Sequence, residues 1–333
     1  MELKDVGEFG LIDLLKQDTI HDSTTVVVGI GDDAAVLKPV PDRLQLVTAD
    51  MLVEGVHFNL STTTEIQLGH KAIAVNISDI AAMGGTPRHA VISIALPATI
   101  PVDFVTKLYQ GMKDLCRLYG VNIVGGDTVS SPGGLVINVT ALGDVEPHQV
   151  VCRSGAKVGD IIAVTNTLGS SAAGLDMLKQ EEWQQYDFAT PLVAAHLTPY
   201  PQVKAGAFLA AAGATSMDDI SDGLASELHE IAAASNVSLA IQADLVPLSP
   251  EVRKAAKVLG KDPLDYALYG GEDFQLLFTM KPEQFRQIKE DDAGAKVVKI
   301  GEVLPPGAGV TMMGKDGQIE QLYPRGYNHF SSN

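Results

Sequence analysis

Short runs of β-branched residues alternate with helical periodicity in both halves of the 333-residue chain. In the first half, the Val- and Ile-rich runs that predict strands are residues 25–30, 44–48, 89–96, 122–124 and 135–142. Apolar residues at helical spacing predict helices over residues 9–15, 65–83 and 102–119. A turn-rich stretch at 143–159 separates this half from the next. The pattern predicts a mixed α/β (α+β) protein of two domains, residues 1–148 and 149–333.

The second half of the chain also mixes predicted strands with predicted helices, and these elements differ in length from those of the first half. Strands are predicted at residues 160–165, 238–243, 274–279, 296–300 and 309–313. Helices are predicted at residues 170–179, 200–212 and 222–235. The segment from Gly309 to Asp316 resembles a phosphate-binding P-loop, but Asp316 stands where that motif needs Ser or Thr. We therefore interpret Gly314–Gly317 as a hairpin turn.

Seven aspartates lie beside glycine, serine or another aspartate, in five short clusters that are typical of loops. They are Asp32, Asp33, Asp50, Asp79, Asp127, Asp219 and Asp222. Small neighbours allow close approach to a ligand, and convergent carboxylates repel one another unless cations lie between them. The clusters therefore predict oxygen-ligated Mg²⁺ sites with phosphates as co-ligands. The alternative for each cluster taken alone is an ordinary turn.

Individual motifs also have structural alternatives. Gly126 lies in a Gly-Gly-Asp sequence that predicts either a phosphate-binding backbone or a plain turn. Ser221 or Asp222 is placed to cap the helix that follows, which leaves Asp219 unexplained. Asp79 shares one helical face with Asn76, so this polar pair marks either an exposed helix edge or a metal site. The acids of the sequence 270–273 either form a turn or line a substrate pocket.

The amino-acid composition limits the classes of molecule that this protein is expected to bind. The formal net charge is −17, from 41 acidic and 24 basic residues. A nucleic-acid or anionic-membrane binder needs a basic face, so neither partner is expected. The two cysteines, Cys116 and Cys152, have no metal-type spacing, and the first residues do not resemble a signal peptide. We expect a cytoplasmic protein. Among the eight histidines, only His57 lies near one of the clusters.

Taken together, these segments resemble the thiamine-monophosphate kinase family over nearly the whole chain. The shared sequences are residues 29–34, 75–84, 125–128, 153–156, 220–224 and 270–273, with residues 7–9 and 326–330 near the two ends. Selenophosphate synthetases, which are relatives in the same superfamily, carry a reactive cysteine near their start. The first cysteine here is Cys116, and the segment from Asp50 to Phe58 favours the thiamine branch.

The resemblance implies a two-domain fold of the aminoimidazole-ribonucleotide-synthetase type that dimerises through its amino-terminal sheets. It implies ATP-dependent phosphorylation of thiamine monophosphate, with several Mg²⁺ ions, by direct transfer. The metal ligands implied are Asp33, Thr48, Asp50, Asp79, Asp127, Asp219 and Asp222, together with the backbone of Ala49. The ATP contacts implied are Tyr109, Gly126, Asp127, Arg153 and Ser221. The thiamine-phosphate contacts implied are His57, Glu272 and Tyr327.

One position departs from the family pattern. Family members usually carry a hydroxyl residue where this chain has Ala49. If that position binds metal through its carbonyl oxygen, the substitution removes nothing. Among the implied residues we expect Asp33, Asp50, Asp79, Asp127 and Asp222 to be the catalytic set. Two other hypotheses remain at this point, namely a superfamily enzyme that activates an amide or carbonyl oxygen with ATP, and a non-catalytic metal- or nucleotide-binding protein.

Overall fold

The structure is a computed structural model that describes residues 3–289 and 293–326. Contacts divide the chain into two compact units. The first unit contains residues 3–80 and 85–147, and the second contains residues 81–84 and 148–326. Both units combine helices with sheets, which confirms the predicted α/β class and its two-domain organisation. Among the described residues, every helix is too short or too polar to cross a membrane.

The first unit is built on a four-stranded sheet. Its helices are α1 (Leu3–Leu15, with a break at Gly7), α2 (Glu65–Ala82) and α3 (Val102–Tyr119). Its strands are β1 (Val26–Val28), β2 (Val36–Leu37), β3 (Leu44–Val53), β4 (Thr86–Pro97), β5 (Asn122–Ser131) and β6 (Val136–Val145). The sheet has the order β3-β6-β4-β5, and β1 and β2 form a separate pair. Strands β3 and β5 are therefore the two edges of this sheet.

Alternation along the central strand β4 shows which face of this sheet is covered. Ile92, Ile94 and Leu96 are buried, whereas the residues between them are only half-buried. Two hydrogen bonds join β3 to α2, from Thr48 to Asp79 and from Asp50 to Asn76. One face of the sheet therefore packs on helices. The alternation of apolar residues along β4, with a period of two, indicates that face.

The second unit is built on a seven-stranded sheet. Its helices are α4 (Ser170–Leu178), α5 (Ala189–Leu197), α6 (Val203–Ala211), α7 (Leu224–Ser235), α8 (Pro250–Leu259), α9 (Pro263–Tyr269) and α10 (Pro282–Phe285). Its strands are β7 (Ile161–Thr165), β8 (Ser216–Asp219), β9 (Ser238–Gln242), β10 (Leu276–Met280), β11 (Val297–Leu304), β12 (Val310–Met313) and β13 (Ile319–Gln321). The strand order is β13-β12-β9-β11-β7-β10-β8. The turn predicted at Gly314–Gly317 joins β12 to β13 and is confirmed.

Both faces of this larger sheet are covered. In β7, Ile162 and Val164 belong to one hydrophobic cluster, with helix α7. The alternate residues Ile161 and Ala163 belong to another, with helix α6. A strand buried on both faces has a continuous apolar sequence, as both β7 and β10 have.

The interpretation of the aspartate clusters as loop-like is wrong for two of them, because Asp50 lies inside β3 and Asp127 lies inside β5. Asp79 lies on α2, as its place in the predicted helix indicated. Strands β3 and β5 both run beyond their predicted ends at residues 48 and 124. Aspartate and glycine are depleted in strands, so sequence alone ends each strand early, whereas pairing with β6 and β4 carries it on.

Candidate functional site

Three predicted metal ligands converge in the first unit. Thr48 and Asp50 are two residues apart on β3, so both side chains point toward helix α2. The Thr48 hydroxyl donates a hydrogen bond to Oδ2 of Asp79. Burial, with a contribution from the negative charge of Asp79, raises the pKa of Asp50 to about 6. Two carboxylates that disfavour each other's ionisation are a suitable place for a cation.

Two asparagines fix the backbone of Asp50. Its N–H donates to Oδ1 of Asn76 at 3.1 Å, and its carbonyl accepts from Nδ2 of Asn138 at 3.1 Å. Asn76 is itself buried and donates to the carbonyl of Ala72. Asn76, one of the two polar residues on this face of α2, therefore positions Asp50 and does not mark an exposed helix edge.

Ala49 lies between these ligands on β3. Because side chains alternate along a strand, its methyl group points away from the face that carries Thr48 and Asp50. A hydroxyl at this position would also point away from Asp79. Only the main chain of Ala49 remains available to a metal, so the departure from the family pattern removes no ligand from this face.

The other two predicted ligands of the first unit lie elsewhere. Asp33 is exposed in the loop after β1, where its N–H donates to Oδ1 of Asp32 at 2.8 Å. Asp127 is exposed on edge strand β5, whereas Asp50 is on edge strand β3. Three interstrand spacings, about 14 Å, separate these edges. Across residues 3–289 and 293–326, no three His, Cys, Asp or Glu side chains are grouped closely enough to hold a metal ion.

Two of the ATP contacts predicted in the first unit, Tyr109 and Gly126, have structural roles of their own. A Cβ at Gly126 would lie 1.9 Å from the carbonyl oxygen of Ile92, so only glycine permits the pairing of β5 with β4 here. Tyr109 on α3 is only 6% exposed, and burial raises its pKa far above the ordinary value. Any contact of Tyr109 with a ligand is limited to the small surface that it presents.

His57 follows β3 in a short turn. Its Nδ1 accepts the N–H of Val53 at 3.0 Å, so the neutral ring carries its hydrogen on Nε2. The buried side chain of Lys71 donates to the His57 carbonyl at 3.4 Å. This arrangement makes His57 a hydrogen-bond donor suited to an anionic oxygen.

The loop after β8 carries three predicted residues of the second unit. Asp219 ends the strand and is buried. The N–H groups of Ser221 and Asp222 donate to Oε1 of Glu227 at 2.9 and 2.7 Å, and the Ser221 hydroxyl donates to the same oxygen at 3.2 Å. The prediction that Ser221 or Asp222 caps α7 is wrong, because the capping residue is Gly223 and no side chain caps this helix.

Glu272 lies on a strained loop directly beside this one. Its φ of 66° is in the left-handed region, where residues other than glycine are uncommon. The Glu272 N–H donates to the Ser221 carbonyl at 2.7 Å. A Cβ at Gly271 would lie 2.4 Å from the same carbonyl oxygen, so the close approach of the two loops requires glycine. The predicted nucleotide contact and the predicted substrate contact are thereby joined.

Asp273 has a different role from its neighbour. Its carboxylate accepts the N–H groups of Gly169 and Ser171 at 2.5 and 3.0 Å, at the start of α4. Burial raises its pKa to about 7, against the lowering effect of these hydrogen bonds. Of the two acids in this sequence, Asp273 caps a helix and Glu272 is the one left partly exposed.

A second histidine lies beside Glu272. The Nδ1 atom of His196 is 3.2 Å from Oε2 of Glu272 and 3.1 Å from Oγ of Ser171. The expectation that only His57 lies near a cluster is therefore wrong, because α5 brings His196 in from 76 residues away in the sequence. Ser171 and Glu272 both contact the same ring nitrogen, Nδ1. A Ser-His-acid triad uses both ring nitrogens, so these three residues do not form one.

Arg153 presents a cation in the second unit. Its side chain is 54% exposed, and its Nε lies 2.8 Å from Oδ2 of Asp218. Burial raises the pKa of Asp218 to about 6, although Arg153 acts in the opposite direction. The outer part of the guanidinium remains accessible to an anion. Tyr327, the last predicted substrate contact, lies outside the described residues.

Sequence reasoning missed Asn138, His196 and Glu227. Asn138 lies on β6, which pairs with β3, so its relation to Asp50 depends on sheet register. His196 has no signal in the sequence near it. Glu227 lies in the first turn of α7, and an acid there usually indicates a favourable helix-dipole interaction. Its reach back to Ser221 follows from the turn at Gly223.

Two family models match the chain. The first, described as AIR synthase related protein, N-terminal domain, matches residues 31–145. The second, described as AIR synthase related protein, C-terminal domain, matches residues 157–313. Together the matched residues cover most of both structural units.

Curated relatives and solved structures agree with these matches. Thiamine-monophosphate kinase of Bacillus subtilis is 39% identical over 98% of this chain and 100% of its own length. That of Aquifex aeolicus is 38% identical over 99% and 100%. The structure of AaThiL complexed with AMPPCP and TMP is 37% identical, with a TM-score of 0.79 over 99% of both chains. The chain therefore belongs to the thiamine-monophosphate kinase family of AIR synthase related proteins.

Proposed function

We propose that this protein transfers the γ-phosphoryl group of ATP to thiamine monophosphate, which gives thiamine diphosphate and ADP. The observation that most strongly supports this function is the structural match, over 99% of both chains, to AaThiL complexed with AMPPCP and TMP. The family resemblance assigns eight residues of this sequence to the two substrates. Two of them, Ser221 and Glu272, are held together by a hydrogen bond.

The reaction is a direct in-line displacement. A phosphate oxygen of thiamine monophosphate forms a bond to the γ-phosphorus as the bond to the β–γ bridging oxygen breaks, and ADP leaves with that electron pair. The attacking oxygen is already ionised near neutral pH, so a strong general base is not needed. The barrier comes from repulsion between two anions, and catalysis is positioning together with charge stabilisation.

The residues present fit Mg²⁺. The Asp50 and Asp79 pair is partly buried, and its mutual repulsion is relieved when a divalent cation binds. Several ions, about four or five, would balance the carboxylates and phosphates together. When bound, magnesium supplies charge neutralisation at the phosphates. The proposed ligands are Asp33, Thr48, the main chain of Ala49, Asp50, Asp79, Asp127, Asp219 and Asp222.

The remaining residues bind and orient the substrates. The exposed guanidinium of Arg153 is suited to a phosphate of ATP, because it offers several parallel N–H donors. The Nε2–H of His57 is suited to the phosphate of thiamine monophosphate. ATP contacts are proposed for Tyr109, Gly126, Asp127, Arg153 and Ser221, and thiamine-phosphate contacts for His57, Glu272 and Tyr327.

The active form proposed is a homodimer joined through the four-stranded sheets. Val47, Met51 and Val129 of the two edge strands are at least half exposed, an apolar surface that favours burial. Asp127 is too far from Asp50 within one protomer to share a metal ion with it. If β3 of one subunit pairs with β5 of the other, the partner subunit's Asp127 lies on the strand next to that of Asp50. The dimer therefore completes the metal site.

A cytoplasmic location is part of the proposal. Cys116 and Cys152 are both free thiols, as in proteins of a reducing compartment. Cys116 is buried and burial raises its pKa, so its thiol is protected from reaction. Separation of a cell lysate into soluble and membrane fractions, followed by the kinase assay, locates the activity directly.

A coupled assay of ADP release tests the function. We expect ADP formation that requires both thiamine monophosphate and Mg²⁺, with thiamine diphosphate in equal amount. An enzyme that activates an amide or carbonyl oxygen would instead release phosphate and would form no diphosphate. Tight binding of Mg-ATP without ADP formation from any acceptor would point to a non-catalytic binding protein.

Glu272→Ala is expected to raise the KM for thiamine monophosphate about tenfold or more, because one charge-assisted hydrogen bond is lost. The KM for ATP should change much less. Initial rates measured against each substrate in turn separate the two constants. Glu181→Ala, which removes an exposed glutamate elsewhere in the second unit, is the matched control. An unchanged KM for thiamine monophosphate in Glu272→Ala would contradict the assignment.

A further inference from the structure

Glu227 is almost completely buried in the first turn of α7, with 3% of its surface exposed. One of its oxygens, Oε1, accepts three hydrogen bonds, from the Ser221 N–H, the Ser221 hydroxyl and the Asp222 N–H. The other oxygen, Oε2, is buried and has no hydrogen-bond partner among the described residues. Because three donors of residues 221–222 converge on this one oxygen, Glu227 fixes the conformation of the loop that carries Ser221 and Asp222.

The loop held by Glu227 is joined to the next one. The carbonyls of Ile220 and Ser221 accept the N–H groups of Phe274 and Glu272 at 2.9 and 2.7 Å. Glu272 and Phe274 both have positive φ angles, 66° and 49°, so these two bonds hold a backbone that is strained on its own. The position of Ser221 therefore determines the position of Glu272.

We propose that Glu227 is a positioning residue that sets the nucleotide contact at Ser221 and, through the Ser221 carbonyl, the thiamine-phosphate contact at Glu272. This inference rests on the proposed function for the two contacts themselves. Glu227 is not itself a substrate contact, because Oε1 is occupied by the loop and Oε2 is buried. Its removal affects both substrates, whereas removal of Glu272 affects one.

The two oxygens of Glu227 allow a sharp choice of variants. Glu227→Gln keeps an oxygen for the three donors and places an amide nitrogen where the unpartnered oxygen lies. Glu227→Asp keeps the carboxyl group but is one methylene shorter, so the group is withdrawn from the loop. Positioning predicts that Gln replaces Glu and Asp does not. A requirement for a carboxyl group predicts the reverse.

The experiment measures binding and kinetics on the full-length protein. Calorimetric titration with Mg²⁺ and AMPPCP gives the nucleotide Kd without turnover, and steady-state rates give the KM for thiamine monophosphate. For Glu227→Asp we expect both constants to rise about tenfold or more, since several hydrogen bonds are lost. For Glu227→Gln we expect both to stay within about threefold of the original protein. Thermal unfolding shows that each variant is folded under the assay conditions.

Two results would overturn the inference. One is a Glu227→Gln protein that loses binding while Glu227→Asp keeps it, which would make the carboxyl group itself the essential property. The other is a Glu227→Asp protein with unchanged constants for both substrates. If the original protein binds Mg-AMPPCP but forms no thiamine diphosphate, the proposed function fails, and the nucleotide Kd of the two variants still decides the role of Glu227 at Ser221.

Discussion

Asp50→Asn is expected to lower kcat about 100-fold or more and, at the same time, to stabilise the metal-free protein. Loss of activity follows because a neutral amide replaces a carboxylate in the proposed magnesium site, and single groups that stabilise transition-state charge contribute about that factor. Stabilisation follows because burial and the negative charge of Asp79 both disfavour the ionised form of Asp50 in the folded protein.

The pH dependence gives the sign and size of the second effect. The pKa of Asp50 is about 6 in the folded protein, against an ordinary value of 3.8. The folded state therefore binds this proton more tightly, and the resulting stability is complete below the unfolded value and lost as the pH rises through 6. At pH 7.5 the ionised side chain destabilises the metal-free protein by about 2–3 kcal/mol, which Asn removes.

Denaturant unfolding in EDTA at pH 7.5 and at pH 4.5 measures this effect. We expect Asp50→Asn to be more stable than the original protein at pH 7.5, and we expect about one third of that difference to remain at pH 4.5, which is still above the ordinary value of 3.8. Asp42→Asn, which changes an exposed aspartate before β3, should alter neither value. A lower unfolding free energy for Asp50→Asn at pH 7.5 would show that the carboxylate has a structural role.

The second large effect is rescue between two inactive variants. Asp50→Asn and Asp127→Asn should each be inactive alone, because each removes a carboxylate from every site of the proposed dimer. In a heterodimer of the two, one site carries both substitutions and the other carries neither. Half of randomly mixed dimers are heterodimers and half of their sites are intact, so the mixture should recover about one quarter of the original activity.

A matched mixture shows whether the recovery comes from shared sites. Asp50 and Asp79 belong to the same protomer's cluster, so a mixture of Asp50→Asn with Asp79→Asn leaves no site intact. The subunits are exchanged by unfolding and refolding together, and specific activity is compared with that of each parent. No recovery in the first mixture, with heterodimers present by mass spectrometry, would contradict the shared site.

Much of the fold was predictable because local signals and tertiary structure agree. The apolar residues of β7 and the periodicity of α3 occur where the prediction placed them. Prediction was worst at β5, where Gly126 and Asp127 continue a strand that their low strand propensity appears to end. Helices α5 and α8 were also missed, and the first of these carries His196. In each of these segments, tertiary contacts determine the secondary structure more than local sequence preference does.

The candidate site was predictable only in part, for a different reason. Gly-Asp clusters identify carboxylates that a ligand can approach, which is a local property. Which carboxylates meet depends on strand order, and strand order separates Asp50 from Asp127. The groups that orient the site, such as Asn138 and Glu227, act through hydrogen bonds that register and turn geometry create. A short sequence window contains none of this information.

The left-handed backbone at position 272 limits how this enzyme can evolve. Only glycine, and less readily asparagine or aspartate, adopts a φ of 66° without a substantial steric penalty, and β-branched residues are effectively barred. Replacement of Glu272 by a β-branched residue would therefore disturb the main chain as well as the side chain. New acceptor preferences should consequently avoid such residues at position 272 and arise more readily at other proposed substrate contacts, such as His57.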